Sequence, residues 1–180
     1  VLADAGRLGS AESKGLFQKI SSKILFEKIH PNLRTNYWFS IAKRARIFFY
    51  NENIIKENDI RELDYLNLAD KKWFEGILIR ASNSVYNQSL VAYMLENYGE
   101  ERTSNWIKSL VKNMARSPQG NDRAQILGLA ANEGKIAVAN TYYFALMLSG
   151  KKGNEQKKAA LKVKALFPGQ KSRGTHINVS

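Results

Sequence analysis

Two short, almost unbroken apolar runs, GILIRA at residues 76–81 and KIAVAN at residues 135–140, most constrain how this chain can fold. Runs of this length suit a strand and are too short for an interior helix. Their lack of polar alternation predicts strands covered on both faces. Each run leads into a helical pattern. Ser84 precedes NQSLVAYMLENYG, which closes at Gly99, and Thr141 is placed to cap a helix beginning at Tyr142. Short apolar strands between helices predict an α/β fold, a mixed sheet flanked by helices.

The remaining segments fit that scheme. Residues Ala5 to Gly15 read as a helix ended by glycine, and YWFSIAKRARIFFYN, from Tyr37 to Asn51, reads as two strands or one long bent strand. IRELDYLNLAD predicts a short helix turning at Asp70. EERTSNWIKSLVKNMA spaces Trp106, Leu110 and Met114 four apart, as one face of a helix does. NDRAQILGLAANEG predicts a helix with Asn121 as N-cap and Gly134 after its end. EQKKAALKVKALF is amphipathic, and the last residues of PGQKSRGTHINVS alternate like a strand.

Composition removes several chemistries. Cysteine is absent, so disulfides, thiolate metal sites and cysteine nucleophiles are excluded. The two histidines, His30 and His176, have no ligand-like spacing, which argues against a zinc site of the usual kind. No GxSxG, P-loop, GxGxxG or HExxH motif occurs, and Glu100-Glu101 sits where a solvated turn is expected. No enzymatic constellation stands out. A formal net charge of +12 raises the question of polyanions, but the charges are scattered. The densest run, Lys151 to Lys158, reads as a solvated helix face or exposed loop.

Ligand sites in open α/β sheets lie beyond the carboxyl ends of strands, where loops enter helices. Three junctions of this sort are readable: residues 81–89, the RSPQGNDRAQ loop, and NTYY at residues 140–143. Two of them place tyrosine at a helix start, Tyr86 in one and Tyr142-Tyr143 in the other. A tightly bound cation stabilises phenolate by charge attraction, so converging phenols would suit a hard, highly charged ion such as ferric iron. A tyrosine at a helix start more often packs, with its hydroxyl on a backbone partner. The residues by themselves leave both readings open.

The blocks DAGRL, KRARIFFYN, YNQSLVA, PQGNDRAQI, NTYYFALML and RGTHINVS, in this order, resemble the corresponding blocks of periplasmic ferric-iron-binding proteins. These are the solute-binding components of bacterial ABC-type iron(III) importers, also called bacterial transferrins. The resemblance implies a periplasmic-binding-protein type II fold: α/β lobes joined by hinge strands, with iron in the cleft between them. It also implies Tyr86, Tyr142 and Tyr143 as phenolate ligands of Fe(3+). Ser82, Ser84, Asn121 and Asn140 fall where relatives hold a synergistic anion or water, although helix capping would account for them equally.

The same resemblance implies that residues 1–36 are a remnant of the first lobe, 37–167 the second lobe carrying the tyrosines, and 168–180 a strand returning to the first. The family's N-terminal segment, with its further His or Tyr ligand, and its tail are then expected to lie outside this chain. Some relatives carry an arginine three residues after the tandem tyrosines; Leu146 stands there, so no such role carries over.

The expected function is non-enzymatic: capture of ferric iron in the periplasm and delivery to the membrane permease of an ABC importer, by a monomer that does not bind nucleic acid. Two alternatives stay open. One is a basic α/β module contacting phosphates through Lys43, Arg44, Arg46 and Lys151 to Lys158. The other is a solute-binding protein for a small anion, using residues 82–84, Arg116 and helix N-termini.

Overall fold

Strand β1 (Lys43–Tyr50) organises the fold, because its side chains alternate between two apolar layers. Phe48 and Tyr50 join one core with Tyr65, Trp73, Leu90, Met94, Trp106 and Val138. Ala45, Ile47 and Phe49 join the other with Ile126, Leu129, Ala137, Ala139 and Met147. Such period-two burial on both faces is what a sheet sandwiched between helices demands. In the computed structural model, which describes residues 4–180, the sheet order is β2-β3-β1-β4. Strand β2 is Ile77–Leu78, β3 is Ile136–Asn140 and β4 is Lys164–Leu166.

Strands β1 and β3 are antiparallel, with Arg46 opposite Asn140 and Phe48 opposite Val138; β4 is antiparallel to β1 on its other side. Strand β2 runs parallel to β3, with Ile77 opposite Ile136. The mixed sheet flanked by helices is therefore present. Helices α3 (Val85–Tyr98) and α4 (Glu100–Lys112) cover the first face through Leu90, Met94, Trp106 and Leu110. Helices α5 (Asp122–Ala130), α6 (Thr141–Leu148) and α7 (Asn154–Leu161) cover the second through Ile126, Leu129, Met147 and Ala160. Since β2 and β3 are parallel, their carboxyl ends lie at the same edge of the sheet. The helices that follow, α3 and α6, start there on opposite faces.

The described chain divides into two compact units, one formed by residues up to Arg44 with Ile177–Ser180 and the other by Ala45–His176. The compact units thus divide after Arg44 and after His176. In the smaller unit, α1 (Ala5–Ser13) and α2 (Lys23–Lys28) are followed by a loop held by aromatic and polar contacts. Trp38 Nε1 donates to Glu12 Oε2 at 2.8 Å, Phe26 meets Phe39 edge-on at 5.1 Å, and Arg34 lies over the Phe26 ring. The amides of Ile41 and Ala42 donate to Ser180 O just after the last strand, β5 (Ile177–Val179).

Several expectations are corrected. Only Lys43–Tyr50 of the Tyr37–Asn51 stretch is a strand; Phe39 forms an isolated bridge to Arg34 instead. IRELDYLNLAD makes a 3-10 turn, Tyr65–Ala69, because Asp64 and Asn67 form a capping box over too few residues for an α-helix. Helix α5 ends at Ala130 and Asn132 takes the left-handed conformation expected of Gly134. Gly134 serves close packing instead, since a Cβ there would lie 2.8 Å from Leu78 Cγ. Of EQKKAALKVKALF, Lys164–Leu166 is strand β4, where the sheet edge at β1 offers hydrogen bonds. Among the described residues no helix is long and apolar enough to cross a membrane.

Candidate metal centre

The two tyrosine-bearing junctions meet. Tyr86 lies in the first turn of α3, beyond β2, and Tyr142 and Tyr143 lie in the first turn of α6, beyond β3. The hydroxyls of Tyr86 and Tyr142 are 3.2 Å apart, and the rings of Tyr142 and Tyr143 have centroids 4.0 Å apart at 34°. All three side chains are only partly buried, so one side of the cluster is open to solvent. Adjacent helical residues diverge by about 100°. Here Tyr142 is the shared member of the cluster, its ring against that of Tyr143 and its hydroxyl against that of Tyr86.

Burial pushes the Tyr142 phenol well above its ordinary value, and hydrogen bonds with Tyr143 and Tyr86 push the same way. Burial and these contacts therefore favour the neutral form of Tyr142. A cation entering it has to displace a proton, and the charge it brings is what makes phenolate favourable. Among the described residues no group of three or more His, Cys, Asp and Glu could hold a metal. Donors here are hard oxygens, which fit a hard trivalent ion and not a soft one.

The four companion residues divide. Asn121 is the N-cap of α5, its Oδ1 accepting from Arg123 N at 3.0 Å and Ala124 N at 3.2 Å. Capping accounts for it. Asn140 is fully buried and is the N-cap residue of α6; its own amide donates to Asp122 Oδ2 at 2.7 Å. Ser82 is exposed in the loop before α3. Ser84, 6% exposed, is the N-cap residue of α3, yet its Oγ makes no capping bond and has no hydrogen-bond partner among the described residues. Thr141 does not cap α6: its Oγ1 accepts from Ala45 N at 3.3 Å, drawn across to β1.

Sequence reading missed the polar network behind the phenols. Arg46 and Asp122 are both completely buried; Arg46 Nη1 lies 3.1 and 2.9 Å from the two carboxylate oxygens. Arg46 Nη2 donates to Asn87 Oδ1 at 2.6 Å, and Arg80 Nη1 approaches Asp122 Oδ1 at 3.5 Å. Arg80 also lies over the Tyr86 ring, 5.5 Å from its centroid. The signal was present: alternation in KRARIFFY puts Arg46 on the same face as Phe48 and Tyr50. This burial also corrects the polyanion alternative, because Arg46 cannot reach a phosphate. Arg116, offered above as part of an anion site, is paired through Nε with Glu133 at 2.8 Å.

Comparison with known proteins gives a consistent picture. The family model described as bacterial extracellular solute-binding protein matches residues 2–170. Iron uptake protein A1 of Synechocystis sp. is 43% identical over 179 residues, covering 98% of this chain and 49% of that protein. Among solved structures, a Trichodesmium protein (IdiA, FutA) in complex with iron and citrate is 44% identical with a TM-score of 0.91; the match covers 98% of this chain and 56% of that one. A ferric binding protein from Campylobacter jejuni is 36% identical with a TM-score of 0.93, covering 99% and 56%. The chain thus spans about half the length of the relatives it matches.

Proposed function

The chain belongs to the bacterial extracellular solute-binding protein family, and from that premise we propose that it takes up ferric iron through the phenolates of Tyr86, Tyr142 and Tyr143. The observation that carries this reading is the 3.2 Å approach of the Tyr86 and Tyr142 hydroxyls beside the stacked Tyr142–Tyr143 pair. Iron is cargo here, bound and released without chemical change to a second substrate, so the activity is binding and not catalysis. Three phenolates match the charge of a trivalent ion and leave coordination positions for water, an anion or a ligand from elsewhere. Ser84 Oγ, buried and without a partner among the described residues, is the proposed holder of such an anion or water. The relatives' iron-uptake and ferric-binding names favour this cargo and, through the family, a periplasmic location with delivery to an ABC-importer permease.

The test is optical. Adding ferric citrate to the metal-free protein produces a visible phenolate-to-iron charge-transfer band, and Tyr143→Phe weakens or abolishes it. A folded wild-type protein that stays colourless overturns the reading. Stabilisation by citrate alone, without iron, would move the assignment to a small-anion binding protein.

A further inference from the structure

The buried Arg46–Asp122 pair has no place in the ligand set, and its expense calls for a reason. Taking two charges out of water costs several kcal/mol, and an ion pair of this kind is often no more stabilising than apolar residues of the same volume. Here Arg46 Nε also lacks a hydrogen-bond partner among the described residues. Stability alone is a poor explanation for such an arrangement.

Its connections supply a better one. The Asp122 carboxylate takes Arg46 Nη1 on both oxygens, Arg80 Nη1 on Oδ1, and the Asn140 amide on Oδ2 at 2.7 Å. Asn140 immediately precedes α6, so this last bond fixes the start of the helix bearing Tyr142 and Tyr143. On the other side, Arg46 holds Asn87 Oδ1 at 2.6 Å, and Asn87 Nδ2 donates back to Arg80 O at 2.6 Å and Ala81 O at 3.2 Å. Asn87 adjoins Tyr86, and those carbonyls belong to the loop that leads into α3. Arg80 adds a direct arm, pairing with Asp122 while lying over the Tyr86 ring.

We infer that Asp122 is a positioning residue that sets the separation between Tyr86 and the Tyr142–Tyr143 pair, and that Arg80 is the arm by which it holds the Tyr86 ring. The two ligand-bearing helices rest on opposite faces of the sheet and belong to different apolar layers. The parallel β2–β3 pairing brings the two strand ends together, but neither core packs one helix start against the other. A single carboxylate at the shared strand end contacts both junctions. The inference rests on the proposed ferric site for its consequence, but its geometric content concerns the metal-free protein.

Arg80→Gln is the primary variant, because Arg80 is partly exposed and its loss leaves the Arg46–Asp122 pair intact. Asp122→Asn is the second, keeping an acceptor for the Asn140 amide while removing the charge. A crystal structure of metal-free Arg80→Gln should show the Tyr86 and Tyr142 hydroxyls out of hydrogen-bond reach, with a melting temperature close to wild type. Ferric affinity, by competition with citrate, should fall about tenfold, as for loss of a group supporting a metal ligand. The charge-transfer maximum should move, which a merely structural defect would not cause. Retention of the contact and an unchanged maximum in Arg80→Gln overturn the inference, whether or not Asp122→Asn folds. A colourless wild type overturns the proposed function instead, and the metal-free distance in Arg80→Gln still decides the positioning.

Discussion

The hydroxyls of Tyr86 and Tyr142 stand 3.2 Å apart although 56 positions separate them in the chain. Each projects from the first turn of a helix, one on either face of the sheet, and the Tyr143 ring lies against the second of them. Burial and its hydrogen bonds favour the neutral Tyr142 phenol; in the proposed ferric site the same oxygens would serve as ligands.

Removing the proposed ligand oxygens should separate cargo binding from folding. Tyr86→Phe and Tyr142→Phe each delete one partly buried hydroxyl, and the ring packing survives. We expect stability to change by no more than about 1.5 kcal/mol, the net worth of one hydrogen bond. Ferric charge-transfer absorbance should fall in both variants. Because metallation releases phenol protons, acidification of the loaded wild-type protein should discharge the iron. Titration of the visible band with acid measures this, and a band indifferent to acid would contradict phenolate ligation.

Asn121 provides a control on the surrounding residues. Its side chain is committed to the Arg123 and Ala124 amides. Asn121→Ala should cost about 1 kcal/mol in urea unfolding, the usual loss for an N-cap. Asn121→Asp should recover most of it. Ferric affinity of Asn121→Asp should equal that of wild type; a large loss there would mean that the amide touches the cargo or its anion.

Breaking the buried pair from one side should be severe. Arg46→Met leaves the Asp122 carboxylate buried with only Arg80 at 3.5 Å and one amide. A loss of about 3–5 kcal/mol is expected in urea unfolding. The double variant Arg46→Met/Asp122→Leu should recover much of this stability, because no charge is left unpaired. It should not recover ferric affinity, since the link between the two helix starts is gone. Recovery of both together would reduce the pair to a packing element.

Alkaline pH should destabilise the protein through tyrosines away from the metal cluster. Burial, with the nearby Tyr98 and Asp64, pushes the Tyr93 phenol from 10.0 to about 12. Burial also raises Tyr65, partly offset by the His176 amide donating to its oxygen. A raised folded-state value means that the folded protein holds its proton longer than the unfolded chain. Stability from these groups is therefore complete below about pH 10, where free phenols begin to ionise. It should decline as pH rises from 10 towards 12 and beyond. Urea unfolding midpoints between pH 8 and 11.5 check this, with flat values up to about 10 and a fall above it.

Much of the framework was legible because it depends on local pattern. GILIRA and KIAVAN announced the adjacent strands β2 and β3, and Asn121 and Gly99 marked helix ends through their own backbone chemistry. The tyrosines were singled out as residues that begin helices after strands, which is a statement about sequence order. Capping by Thr141 failed for a reason outside its neighbourhood: β1 presents the Ala45 amide to the hydroxyl first. Strand β4 was hidden because Lys164–Leu166 becomes a strand only when Phe48–Tyr50 offers an edge.

Sequence alone therefore determined which residues could serve as hard oxygen donors and that they stand at the starts of two helices, since residue type and hydrophobic period are properties of short segments. Tertiary structure decided that Tyr86 and Tyr142 meet. That follows from the parallel pairing of β2 with β3, which brings two carboxyl ends to one edge of the sheet. It also decided that Arg46, in an otherwise apolar strand, is buried against Asp122 and not turned towards a polyanion. The physical reason is range: hydrophobic period and capping act over a few residues, whereas strand pairing and a buried charge draw partners from anywhere in the chain.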